Sequence, residues 1–278
     1  PEDHQQIDID NDGDKDDVDL GDTRMMSQQE LEDIHKRLQD PSKPLFDIDQ
    51  GHIGDCHLLS TLNAYNQTEE GRKYLASLVT PHYNAQGKID GYFVDFPGYG
   101  RNEKRVFVQD VMLYGDTAGR TPKADLASVF EKAFIQSHDG GTKSMFPHGG
   151  ASASFSAITM QKISGIPGIP LVNVSAYRGI IKDKTIAAIN SGHPVVAESS
   201  LFAGDAQVTA DGSQENITIA SSHVYTVAAA DENGVTLINP WGHNNRSGGA
   251  KGSTGATFTM SWEEFYANYG DVTVGFIP

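Results

Sequence analysis

The chain has 278 residues, 38% of them hydrophobic, and a formal net charge of −16, which is enough for one domain or two closely packed halves around a substantial core. Its basic residues form no cluster, which argues against a nucleic acid or an anionic membrane surface as partner, and no apolar run reaches the length of a membrane span. The single cysteine, Cys56, excludes an intramolecular disulfide and a cysteine-rich zinc site.

The first 22 residues hold ten acids against Lys15 alone. Within this acidic head, taken as residues 1–26, Asp8, Asp10, Asp12, Asp14, Asp16 and Asp19 follow the ligand spacing of a calcium loop. With Asp8 at the first position, Asp10 and Asp12 fall at the third and fifth, Gly13 at the sixth, Asp16 at the ninth and Asp19 at the twelfth. Hard oxygen ligands on alternate residues around a glycine turn suit calcium, whereas the same composition also describes a solvated acidic linker. The start at Pro1 and the acidic spacer fit a module of a larger protein that is secreted or delivered outside the producing cell, with the cytoplasm as the alternative location.

Ser27-Gln28-Gln29-Glu30 opens a helix with a capping-box pattern, and Leu31, Ile34 and Leu38 carry it to a stop at Asp40-Pro41. The next helix starts at Cys56, where Leu58, Leu59, Leu62 and Tyr65 at helical spacing predict one buried face. A sulfur at a helix N-terminus feels the partial positive charge of unpaired N–H groups, which favours the thiolate. Residues 125–134 predict a further helix.

From Ile166 onward, proline and glycine punctuate short β-branched stretches, with one helix expected over Asp183–Ile189. Ser222 to Ala228 reads as a strand that starts at His223, and Thr236 to Gly242 as a strand that ends at Asn239. Asn233-Gly234 between them is hairpin-turn chemistry, so the start of the first strand and the end of the second come to one end of the ribbon. His223 and Asn239 then become neighbours. A cysteine on a helix, with a histidine and an asparagine on distant strands, is the set that thiol nucleophilic catalysis needs. The elements together give an α+β chain with a helical lobe over residues 27–165, a β lobe over 166–278, and the site between them.

The string Gln50-Gly51-His52-Ile53-Gly54-Asp55-Cys56, followed by His57-Leu58-Leu59-Ser60, resembles the active-site segment of calpain-like cysteine peptidases. Ser222 to Val227 and Ile238-Asn239-Pro240-Trp241-Gly242 resemble that family's histidine and asparagine segments. Asp125 to Phe134, Gly140-Gly141 and Gly149-Gly150 resemble its helix and glycine-rich substrate loop, and Met260 to Tyr266 its late segment. The likeness runs from about Phe46 to Ile277. It departs in having His57 where the family usually has tryptophan and Ser222 where it commonly has glycine.

The resemblance implies a papain-like fold and hydrolysis of peptide bonds in proteins. Cys56 is then the nucleophile, His223 its base in a thiolate–imidazolium pair, and Asn239 the group that orients the imidazole. Gln50 offers its side-chain amide to the oxyanion. Gly149, Gly150 and Trp241 line the substrate cleft, with Trp241 covering the His223–Asn239 contact or acting as a plain core residue. Fold and triad do not choose the acceptor, so acyl transfer or glutamine deamidation stays open beside proteolysis, as does a silent, calcium-dependent binding module.

Overall fold

The computed structural model describes residues 4–10, 12–98, 105–116, 123–137 and 153–278, and it is a mixed α+β structure. Gly140, Gly141, Gly149 and Gly150 of the expected substrate loop lie outside these residues.

The head is not a free spacer. Strands β1 (His4–Ile7) and β2 (Asp16–Asp19) form an antiparallel hairpin in which His4 faces Asp19. Val18 and Leu20 are buried, and β3 (Thr23–Met25) pairs with a strand of the following region, with Thr23 opposite Met112. Helix α1 (Gln28–Leu38) starts as its sequence requires: Ser27 Oγ accepts from Glu30 N, and the Glu30 carboxylate accepts from Ser27 N. The same carboxylate accepts from the two terminal nitrogens of the Arg24 guanidinium at 2.8 Å and from the backbone N–H of Ala124 at 2.6 Å. Burial alone pushes Glu30 up, yet these hydrogen bonds bring it down to about 2.

Next come α2 (Cys56–Tyr65), α3 (Glu69–Ser77), β4 (Val79–Tyr83), β5 (Ile89–Asp95), β6 (Arg105–Val108), β7 (Asp110–Met112), α4 (Leu126–Gln136) and α5 (Ala153–Ser164). The region expected to be helical thus also carries a three-stranded sheet, β4-β5-β6, and the β7 partner of β3. These strands pack with α1, α2 and α4 around a core that includes Leu59, Leu62, Tyr92, Phe96, Phe130 and Phe134.

The remainder is one eight-stranded antiparallel sheet with two helices. Its elements are β8 (Ile169–Val172), α6 (Arg178–Asn190), β9 (Val195–Ser199), β10 (Asp205–Ala210), β11 (Ser213–Thr218), β12 (Val224–Ala230), β13 (Val235–Asn245), β14 (Ser253–Met260), α7 (Trp262–Asn268) and β15 (Tyr269–Val274). The spatial order is β11-β10-β14-β13-β12-β9-β15-β8. Helix α6 is longer than its sequence suggests, and α7 is capped by Ser261 Oγ, which accepts from Glu264 N. The β12–β13 turn closes as Asn233-Gly234 predicts, with Ala230 opposite Val235. Gly234 is needed there, because a Cβ would lie 2.3 Å from Met260 O. This half has its own core, built on Tyr225, Leu237, Phe258, Phe265 and Tyr269.

Helix α2 lies between the two cores. It packs on α3, α4 and α5 on one side and on β9, β12 and β13 on the other, so all ten of its residues are buried. The one-faced burial read from Leu58, Leu59, Leu62 and Tyr65 is therefore corrected: the other face is covered by the sheet. Ser60 Oγ donates to Val224 O and Thr226 Oγ1 donates to Ser60 O, each at 2.7 Å, which pins the helix to β12.

Candidate active site

Cys56 is the first residue of α2 and His223 directly precedes β12, so the Ser60–Val224 and Thr226–Ser60 bonds bring the two segments together. Cys56, Ala64, Met160, Val196 and Val224 form a small apolar seam between the cores.

His223 is held from several sides. Its backbone N–H donates to Ser199 Oγ at 2.9 Å and its carbonyl accepts from Ser199 N at 2.9 Å. Its Nε2 lies 3.0 Å from Asn239 Oδ1. Asn239 Nδ2 donates to Asn244 Oδ1 at 3.1 Å, and Asn244 Nδ2 donates in turn to Gly255 O and Ala256 O. With its Nδ2 occupied in this way, Asn239 turns its oxygen to the imidazole, so Nε2 carries the proton of the neutral ring and Nδ1 is left as the acceptor. The Trp241 indole covers the imidazole with ring centroids 4.6 Å apart and an interplanar angle of 36°. Ser222 sits at φ 48°, the left-handed region that favours glycine, the residue that the resembled family commonly has there.

Asn239 is not at the end of its strand. Strand β13 runs on to Asn245, and its pairing with β14 is irregular between Ile238 and His243. That irregularity re-aims Asn239 and gives Asn244 its place beside it.

The electrostatics of the sulfur differ from the expectation. Cys56 is buried, and burial pushes its thiol up to about 12, with Asp55 and Glu198 adding to the effect and a hydrogen bond to the Val224 backbone opposing it. Burial likewise pushes His223 down to about 4, against the Asn239 hydrogen bond. Among the described residues no hydrogen bond joins Sγ to His223. Burial thus works against the thiolate–imidazolium pair and favours the neutral thiol and the neutral imidazole in this state.

Asp55, the N-cap of α2, makes no capping bond with its side chain. Its carboxyl meets Glu131 of α4 instead. Burial pushes both acids up, Asp55 to about 6 and Glu131 well above the carboxylate range, with the Asp55 charge adding to the shift of Glu131. Its oxygens also accept from Asp116 N at 3.0 Å, and Asp116 Oδ1 accepts from Asp49 N at 2.8 Å. This chain of buried acids ties the loop before Cys56 to α4. His57, where the resembled family has tryptophan, is buried with Nδ1 2.9 Å from Thr159 Oγ1 and lies edge-on to Phe134 and Phe155.

Gln50 is fixed beside the site by its backbone N–H, which donates to Pro240 O at 2.7 Å. Its Nε2 donates to Ile53 O at 2.8 Å, so one of the two amide N–H groups expected for the oxyanion is already engaged. A cavity of about 440 Å³ opens here, lined by Gln50, Gly51, His52, Leu113, Tyr114 and, from the head, Ile9.

In the head itself the carboxylates of Asp8, Asp10 and Asp12 offer oxygens within 4.8 Å of one another, a group suited to a metal ion. Gly13, at φ 97°, turns the chain so that its N–H donates to Asp8 Oδ2 at 3.1 Å. Asp14, Asp16 and Asp19 do not belong to this group. Asp16 and Asp19 lie in β2 opposite Ile7 and His4.

Glu198 and Asn244 were not singled out from sequence. The only signal for Glu198 is an acid inside the apolar run of β9, and for Asn244 its position five residues after Asn239. No helix among the described residues is long and apolar enough to cross a membrane. No family model matches the chain, and no curated protein matches it.

Proposed function

We propose that this chain is a cysteine endopeptidase of calpain-like type on a papain-like two-lobed fold, with Cys56 as nucleophile and His223 as base. The observation that carries the reading is the His223 Nε2–Asn239 Oδ1 contact of 3.0 Å, with the asparagine amide anchored by Asn244 and the imidazole covered by Trp241. That arrangement leaves Nδ1 as a proton acceptor next to the segment that packs on Cys56.

The reaction begins from uncharged partners. Sγ attacks the peptide carbonyl as its proton passes to Nδ1, and the carbonyl oxygen becomes an oxyanion that the Cys56 N–H and the second Gln50 amide hydrogen receive. The imidazolium gives its proton to the departing amine as the C–N bond breaks. Water, deprotonated by Nδ1, then cleaves the thioester and restores the thiol. Asp8, Asp10 and Asp12 bind calcium, whose preference for hard oxygen donors their carboxylates meet. The substrate is an exposed segment of another protein.

Hydrolysis of an unfolded protein such as casein by the wild-type chain, compared with Cys56→Ala and His223→Ala, tests the reading. Turnover that both substitutions remove supports it; turnover that survives Cys56→Ala contradicts it.

A further inference from the structure

Glu198 is the penultimate residue of β9. It is 3% exposed, and its Oε2 meets no hydrogen-bond donor among the described residues. Antiparallel register sets it opposite Val224 on one side and Asp271 on the other, so the three side chains share one face of the sheet. Val196, two residues earlier on the same face, and Val224 both pack in the seam with Cys56. Asp271 is 9% exposed, and no cation acts on either acid among the described residues.

Two adjacent buried carboxyls with an oxygen that no donor meets oppose folding unless they hold protons or receive a cation. Their place in the fold shows where a cation would come from. β9 runs antiparallel to β12, so its C-terminal end lies beside His223, and the chain then turns out through Phe202, which is 89% exposed. The acids therefore stand at the catalytic end of the sheet.

We infer that Glu198 and Asp271 form an acidic recognition point that receives a lysine or arginine side chain of the substrate, within two residues of the scissile bond. This rests on the peptidase reading above. A guanidinium or ammonium supplies the donors that Glu198 Oε2 lacks and cancels the charge of the pair. A norleucine of similar length leaves the acids unpartnered, and a glutamate adds a third negative charge. Burial pushes Glu198 up to about 8, with Asp271 adding to the shift, and pushes Asp271 up to about 7, so arrival of the cation displaces protons to solvent.

The test has two arms. In the first, fluorogenic peptides that differ only in carrying arginine, lysine, norleucine or glutamate near the scissile bond are compared by kcat/KM. The wild-type chain favours the basic peptides over norleucine by roughly tenfold or more, the size of one charge-assisted hydrogen bond, and Glu198→Gln and Asp271→Asn each bring that ratio toward one. In the second, Cys56→Ala binds the arginine and norleucine peptides in two buffers of different ionisation enthalpy, and only the arginine peptide binds tightly with proton release. A wild-type chain that cleaves the peptides without charge preference overturns the inference and leaves the peptidase reading standing. If no peptide is cleaved, the peptidase reading fails, and equal binding of the two peptides to Cys56→Ala overturns the inference independently. A thermal melt of each variant identifies loss of fold.

Discussion

Asn239 Oδ1 and His223 Nε2 meet at 3.0 Å, with the Asn239 amide held by Asn244 at Nδ2 and by the Trp241 backbone N–H at Oδ1. Each link acts on the one before it. Asn239→Ala removes the imidazole's acceptor and should lower kcat/KM by two orders of magnitude or so, whereas Asn244→Ala frees the amide to flip and should cost roughly tenfold. Steady-state kinetics on one peptide read both, and an Asn244→Ala enzyme as active as the wild type would remove the anchoring role.

The thiol's burial makes a distinct pH prediction. With Cys56 pushed up to about 12 and His223 down to about 4, the free protein holds a neutral thiol across the neutral range. The rate of Cys56 alkylation by iodoacetamide should then keep rising with pH through 9, since thiolate is the reacting form. A plateau reached by pH 6 would reveal an ion pair in the free protein.

Stability should fall as pH rises from 6.5 to 8.5. Glu198, pushed up to about 8, and Asp271 and Asp125, each pushed up to about 7, bind protons more tightly folded than unfolded. Their stabilising effect is complete below the unfolded carboxyl pKa and is lost as pH rises through the folded values. His223, pushed down to about 4, has the opposite sign, with stability gained as pH rises from about 4, and its change is over by about 6.5. Denaturant melts should show a loss on the order of 1 kcal/mol per pH unit in this window. Glu198→Gln should show a shallower loss, and an identical slope in that variant would mean that Glu198 is ionised in the folded protein throughout.

The parts of the site that were legible in the sequence are those encoded locally. The Ser27–Glu30 capping box, the helix start at Cys56 and the Asn233-Gly234 turn each rest on a few contiguous residues, and the turn alone was enough to bring His223 and Asn239 to one end of a ribbon. Features set by packing were hidden. The β4–β6 sheet was missed because β4 contains Pro81, tolerated there as an edge strand, and reads as a breaker. The full burial of α2 and the protonation of its thiol depend on the sheet that covers it, and Glu198 gains meaning only through its register with Val224 and Asp271.

The acidic head supplies a calcium prediction. Calcium should bind through Asp8, Asp10 and Asp12, so Asp8→Asn with Asp12→Asn should abolish binding measured by calorimetry, while Asp19→Asn should weaken it little. Gly13→Ala should also weaken binding, because φ 97° strains any residue with a Cβ. Binding lost equally in Asp19→Asn would restore the twelve-residue ligand set.

The most direct test of the central claim is mass spectrometry of an unfolded protein mixture incubated with the wild-type chain or with Cys56→Ala, with and without calcium. The account predicts new N-termini, enriched after or near lysine and arginine, that appear with the wild-type chain and vanish with Cys56→Ala. A wild-type chain that yields no new termini, and instead leaves isopeptide bonds or the small mass gain of deamidation on its substrates, would contradict it.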